Sequence, residues 1–288
     1  MKQVSSPQIE TWVTNYKRNK TQKAALNALR SLNYYLDDIG ASNTDWISTF
    51  NESDDAKYHK LNEYVKWLDL MPASVRQYFV FIKSYIRVVY GIKLDLADQK
   101  QLIKFDKIAK IERAPLSKEV IKMLCQNSNS VYKAFFLIQS SSGMRASESI
   151  NLKKENFDFK SDPCMITIPA ALTKTQSDRI TFISKEAKAV LLDNKAAYFQ
   201  ERSLDTIESY FWKLRQKLNL KEKYNGTPNY KVNIHSFRAF FRTQAGKINQ
   251  DFAESILGHE GYLKQYVRLT PAEKSWYYQK VEPKLKIF

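Results

Sequence analysis

The 288-residue chain carries 46 lysines and arginines against 30 aspartates and glutamates, a formal net charge of +16. Its 43% hydrophobic and 13% aromatic content is enough to bury a core and excludes intrinsic disorder, while only 7 glycines and 8 prolines exclude collagen-like and Gly-rich phosphate-loop architectures. Cys125 and Cys164 make neither a disulfide framework nor a metal cluster, no run of about 18 apolar residues exists to span a membrane, and +16 calls for a polyanionic partner, nucleic acid first, with a solubilising basic surface as the alternative.

The N-terminus, Met1 to Glu10, is polar and lacks an apolar signal region, so a cytoplasmic location is expected. Residues 1–30 sum to +5, 31–75 to −5 and 76–114 to +5, while 211–247 hold nine basic residues and one acid. In Gln22–Ile39, the positions Leu26, Leu29, Leu36 and Ile39 recur at helical spacing and stop at Gly40. Tyr58, Leu61, Tyr64, Val65 and Leu68 form a second stripe ending before Pro72, and Phe79, Ile82, Ile86 and Val89 a third ending at Gly91. All three stripes are read as core. Arg76, Lys83 and Arg87 lie opposite the third stripe, where contact with phosphates and plain solvation are equally good readings.

Residues 93–114 are polar and charged, and the domain boundary is placed there, giving a helical domain over 1–110 and a second domain over 111–288. Ser117 then offers a helix N-cap with Glu119 in the first turn. Val131–Gln139 reads as a buried helix. Cys164–Pro169 and Arg179–Ile183 alternate and are β-branched about the polar stretch 173–178, a hairpin pattern. Helices follow over Lys185–Gln200, Asp205–Leu218, Asn233–Lys247 and Asp251–Leu257, with Tyr277 and Tyr278 as packing residues of a C-terminal helix. The fold class is mainly α with a small antiparallel β-sheet.

Three short segments stand out. Ser142-Gly143-Met144-Arg145-Ala146-Ser147-Glu148 sets an arginine just past a loop glycine, at the start of a helix. His235-Ser236-Phe237-Arg238 sets an imidazole and a guanidinium one helical turn apart. Leu257-Gly258-His259 closes a short helix at a glycine able to turn the backbone sharply. Each has an ordinary structural reading: Arg145 with Glu148 as an ion pair, His259 as a helix-end residue, Lys174 as one of many surface lysines.

Their order carries more than any one of them. S-G-M-R-A-S-E, a hairpin with a lysine, H-S-F-R, L-G-H and then tyrosines resembles the catalytic domain of the tyrosine recombinase (phage integrase) family, over about 170 residues. The helical segment before it resembles that family's core-binding domain in position and size. The stretch Tyr262 to Glu273, Y-L-K-Q-Y-V-R-L-T-P-A-E, is similar to integrases of archaea and their mobile elements.

The resemblance implies a site-specific recombinase acting on double-stranded DNA in a prokaryotic cell, through a 3′-phosphotyrosyl intermediate, with no metal, cofactor or ATP. Four protomers would assemble on two DNA sites. The implied catalytic residues are Arg145, Lys174, His235, Arg238, His259 and Tyr266. Arg145 and Arg238 would clamp the non-bridging oxygens by paired donors. His235 and His259 would donate to the same oxygens or move the tyrosine proton. Lys174 would protonate the leaving 5′-oxygen, a role open to an ammonium that titrates near about 10.4 when free. Many relatives place the tyrosine about nine residues after the L-G-H histidine, where this chain has Arg268; Tyr266, seven after His259, is preferred as nucleophile over Tyr262, three after, because Y-x-R-x-T matches the related archaeal pattern and leaves room for a turn. Glu148 has no proton to move and is read as a buried partner of the basic site.

Arg145, Lys174 and Arg238 are expected to be buried and to add little to salt sensitivity, while the remaining cations of both domains grip the duplex. The segment after the tyrosine, Pro271 to Phe288, would dock either on its own domain or on a neighbouring protomer. A silent DNA-binding or bridging protein of the same fold is the competing reading. A topoisomerase-like or telomere-resolving enzyme with the same chemistry is a third.

Overall fold

The computed structural model describes residues 6–53, 55–108, 111, 116–193, 202–258 and 269–288. The chain divides into two compact units, Met1–Lys110 and Ile111–Phe288.

The first unit is helical over its described residues. Helix α1 (Pro7–Thr14) starts where Ser6 accepts the Ile9 amide and Pro7 occupies the first turn, at which its missing N–H costs nothing. Trp12 is buried edge-on against Tyr85, its indole N–H donating to Ser84 at 3.1 Å. Helix α2 (Asn19–Asp38) buries Ala25, Ala28, Leu29, Leu32, Tyr35 and Leu36. This stripe differs from the expected one: Leu26 is only partly covered and Ile39 is 47% exposed, because the helix ends at Asp38 and Ile39 lies past its last turn.

A short α3 (Asn43–Ser48) is closed by a reciprocal Ser42–Asp45 cap. Helices α4 (Ala56–Trp67) and α5 (Pro72–Tyr90) then bury the expected Tyr58, Leu61, Tyr64, Val65, Phe79, Ile82 and Ile86. The polar stretch after Gly91 is not a plain connector. Asp95 accepts the amides of Ala97 and Asp98 to start α6 (Leu96–Leu102), and Ile103 is buried behind it. That segment also occupies two of the cations opposite the α5 stripe: Lys83 donates to Gln99 at 2.8 Å, and Arg76 donates to the Asp106 carbonyl while its guanidinium covers Phe105.

The second unit is built around α8 (Ser130–Ser142), whose residues Ala134 to Ser142 are all buried. Complete burial would strand its polar side chains, so Ser140, Ser141 and Ser142 turn their hydroxyls onto the carbonyls of Leu137 and Ile138. Around it pack α7 (Lys118–Gln126), capped by Ser117, α10 (Lys185–Asp193) and α12 (Ile234–Gly246). Phe237 of α12 stacks on Phe136 at 5.4 Å between centroids. Residues 194–200 of the helix expected after Lys185 lie outside the described residues.

Strands β2 (Cys164–Ile168) and β3 (Arg179–Ile183) form the expected antiparallel hairpin, with Cys164 opposite Ile183 and Ile168 opposite Arg179. A two-residue β1 (Phe157–Asp158), too short to show alternation in sequence, completes a sheet in the order β1-β2-β3. The Thr181 hydroxyl donates to the Ser142 carbonyl at 2.7 Å, fastening β3 to the end of α8.

Helices α11 (Leu204–Lys217), α13 (Gln250–Leu257) and α14 (Pro271–Leu285) complete the unit. Tyr278 of α14 is fully buried and donates to the Ser141 carbonyl. The backbone amides of Ile287 and Phe288 donate to Glu186, so the final residues dock on their own unit. Cys125 and Cys164 are buried, and burial pushes their thiols up to about 12 and about 11.

Candidate active site

The end of α8 sets the site. Gly143 adopts φ +64°, and a Cβ there would lie 2.4 Å from Cδ1 of Phe241, so both the left-handed turn and the close approach require glycine. The turn frees the Gly143 carbonyl, which accepts from Nη1 of Arg238 at 2.5 Å. Nη2 of Arg238 donates to the Leu257 carbonyl at 2.7 Å. One guanidinium thus joins the last turn of α8 to the last turn of α13, and its residue is only 4% exposed.

Two residues past Gly143, Arg145 begins the single-turn α9 (Ala146–Ser149). The carboxylate of Glu148, whose side chain is 1% exposed, accepts the Arg145 backbone amide at 2.6 Å and Nη1 of Arg145 at 2.8 Å. A third arginine meets it from β3: Arg179 donates Nη1 and Nη2 to the two oxygens at 3.1 and 2.7 Å. Burial alone would raise the Glu148 pKa. The hydrogen bonds and charge of Arg179, with the hydrogen bonds of Arg145, outweigh burial and hold it below the usual carboxylate range.

Among the described residues the cluster therefore brings two guanidinium groups onto the Glu148 carboxylate, with that of Arg238 beside them. Burial, then repulsion from Arg145 and Arg179, brings Arg238 down to about 10, still cationic at neutral pH, against partial relief from Glu148 and Glu254. Half-buried Lys274 of α14 is lowered as well, by burial and then by the charge of Arg179. Among the described residues these cations outnumber the two carboxylates, Glu148 and Glu254, that act on them. An excess of positive charge in a poorly hydrated site is the arrangement that favours an anion with several oxygens.

The six sequence candidates separate as follows. Arg145 and Arg238 converge on the Gly143 turn and the Glu148 cluster. His235 lies in the first turn of α12, one turn before Arg238; its side chain is exposed whereas that of Arg238 is buried. Lys174 is also exposed, contrary to the expected burial, because it belongs to the loop between β2 and β3. That loop is tied by its own side chains: Asp178 accepts the Ala170 amide, and Thr173 donates to the Ala170 carbonyl and accepts the Ser177 amide. His259, Tyr262 and Tyr266 lie outside the described residues. Arg179 and Lys274 were not singled out in the sequence, although a charged residue heading the apolar run Ile180–Ile183 was the available sign of the first.

The model of the phage integrase family matches residues 114–272, more than half of the chain. No curated protein matches its sequence. Among solved structures, the Tn1549 transposon integrase in complex with transposon right-end DNA is similar over 95% of this chain and 98% of its own, with a TM-score of 0.62 and 15% identity. A lambda integrase dimer bound to a COC′ core site also gives 0.62 and 15%, covering 91% and 98%. The XerH site-specific recombinase bound to a palindromic difH substrate gives 0.51 and 15%, covering 75% and 67%. At these identities the likeness is one of fold.

Proposed function

The chain belongs to the phage integrase family, and from that premise we propose that it is a site-specific recombinase that cuts and rejoins double-stranded DNA through a 3′-phosphotyrosyl intermediate. The observation that carries this reading is the cluster at the buried Glu148 carboxylate, which Arg145, its side chain 27% exposed, and buried Arg179 bond directly, with buried Arg238 beside them on the carbonyls of Gly143 and Leu257. The similar Tn1549 and lambda integrases, both solved on DNA, support duplex DNA as the partner.

In this scheme the Tyr266 hydroxyl attacks the phosphorus of a phosphodiester. A tyrosyl O–P bond forms and the P–O5′ bond breaks, so the bond energy stays in the phosphotyrosine and no ATP is needed. Arg145 and Arg238 donate to the non-bridging oxygens, where negative charge concentrates in the transition state. The tyrosine proton leaves by way of His235 or His259, and Lys174 supplies the proton taken by the 5′-oxygen. Attack by another strand's 5′-hydroxyl reverses the step. Four protomers on two sites would allow both duplexes to exchange, and the basic residues of residues 1–110 would contribute duplex affinity.

The test uses a pool of nicked duplexes with random sequence around the scissile position, from which the strand beyond the nick diffuses away after cleavage. The parent chain is expected to leave a labelled, denaturant-resistant protein–DNA adduct, and Tyr266→Phe none. An adduct that survives in Tyr266→Phe and disappears in Tyr262→Phe moves the nucleophile to Tyr262. No adduct from the parent chain anywhere in the pool overturns the cleavage reading in favour of a silent binder.

Lys174→Ala is expected to slow adduct formation about a hundredfold through loss of the general acid. Replacing the leaving 5′-oxygen by sulfur, which departs as a thiolate without a proton, should restore most of that loss. Comparing single-turnover rates on the two duplexes checks both.

A further inference from the structure

Arg179 heads β3, and each of its three side-chain nitrogens has a protein acceptor. Nη1 and Nη2 meet the two oxygens of Glu148, and Nε donates to the Ile256 carbonyl at 3.0 Å. Its side chain is 7% exposed. The backbone after Ile256 lies against its stem: a Cβ on Gly258 would stand 2.8 Å from Cδ of Arg179, with Gly258 at φ +66°.

One side chain therefore touches three separated segments. It belongs to the hairpin whose loop carries Lys174, five residues earlier. Through Glu148 it fixes α9, whose N-cap is Arg145. Through Ile256 it fixes the last turn of α13, whose next carbonyl holds Arg238 and whose chain leads directly to His259.

We infer that Arg179 is a positioning residue, setting the register of the Lys174 hairpin, the Arg145 helix start and the turn before His259 against one another. The inference rests on the reading that these residues act together on a phosphodiester. A guanidinium suits the task because its planar fork spans both carboxylate oxygens while Nε remains available to a carbonyl. A lysine would restore the charge but not three directed bonds.

The test compares the full-length parent chain with Arg179→Lys and Gly258→Ala. The second leaves every charge in place and drives a methyl group into the Arg179 stem. Three quantities are measured: affinity for a random-sequence duplex, adduct rate on the nicked pool, and solvent exchange of the Arg145 guanidinium protons, whose Nη1 bonds Glu148, by nitrogen-15 NMR. In Arg179→Lys, duplex affinity is expected to stay within about twofold, while the adduct forms about tenfold to a hundredfold more slowly, the scale of loss when reacting groups are misplaced by about 1 Å. Arg145 exchange should quicken about tenfold as its carboxylate partner loosens, and Gly258→Ala should move rate and exchange in the same direction. Parental exchange of Arg145 in both variants overturns the inference, as does a parental adduct rate in Arg179→Lys. If the parent chain forms no adduct, the cleavage reading falls by itself, and the exchange measurement still decides whether Arg179 holds Arg145.

Discussion

Arg238→Lys is expected to bind duplex DNA nearly as tightly as the parent chain yet form the tyrosyl adduct about a thousandfold more slowly, at the upper end of the loss for one charge-stabilising donor. Two contributions add. A lysine presents a single point of charge to the phosphate where the guanidinium presents paired donors. It also cannot span the carbonyls of Gly143 and Leu257, which Arg238 holds from opposite ends of its fork. Leaving one of these buried acceptors unmatched costs about 1–3 kcal/mol and loosens either the turn before Arg145 or the turn before His259. Because the residue is 4% exposed, it adds little to the diffuse field that recruits DNA. Filter binding across a salt series should therefore show an unchanged slope, and single-turnover trapping should show the rate loss.

Glu148→Gln should be the most destabilising of the single changes considered. Removing the carboxylate leaves Arg145 and Arg179 facing each other in a buried site, and breaking a buried pair from one side costs about 3–5 kcal/mol. For a unit of this size that lowers the melting temperature by about 6–20 °C. The pH dependence has a defined sign. The folded-state pKa of Glu148 lies below its unfolded value, so the stabilisation is fully present above the unfolded value, near 4.5, and is lost as pH falls through the lowered folded value. The parent chain should lose stability in that acidic window, and Glu148→Gln, with nothing to protonate there, should lose less. Urea unfolding at a series of pH values, followed by near-ultraviolet circular dichroism, measures both.

How much of this was readable in advance depends on the distance over which each relation acts. Ser117, the Val131–Gln139 helix and the paired strands at Cys164 and Arg179 are local patterns, and they fold as their periodicity requires. The helices Pro7–Thr14, Asn43–Ser48 and Leu96–Leu102 span one or two turns, too little for a stripe to repeat, and are set by caps at Ser6, Ser42 and Asp95. Ile39 was misplaced because apolar spacing continues past the residue at which the helix stops. Arg145 and Arg238 were legible as members of an ordered set of motifs. Arg179 was not, since its partners Glu148 and Ile256 lie 31 and 77 residues away and meet it only once the hairpin folds against α9 and α13. Lys174 is exposed because it belongs to the loop between β2 and β3, where Thr173 bonds Ala170 and Ser177 and Asp178 accepts the Ala170 amide.

The two cysteines give this chain a practical property. Both thiols are buried and held almost wholly protonated at neutral pH, so neither has the thiolate needed to react with maleimides or iodoacetamides. The native protein is thus a silent background for site-directed labelling without prior removal of its cysteines. A single cysteine introduced at Gln176, on the exposed crest of the β2–β3 loop, would carry a fluorophore alone and report the approach of DNA to that loop in real time.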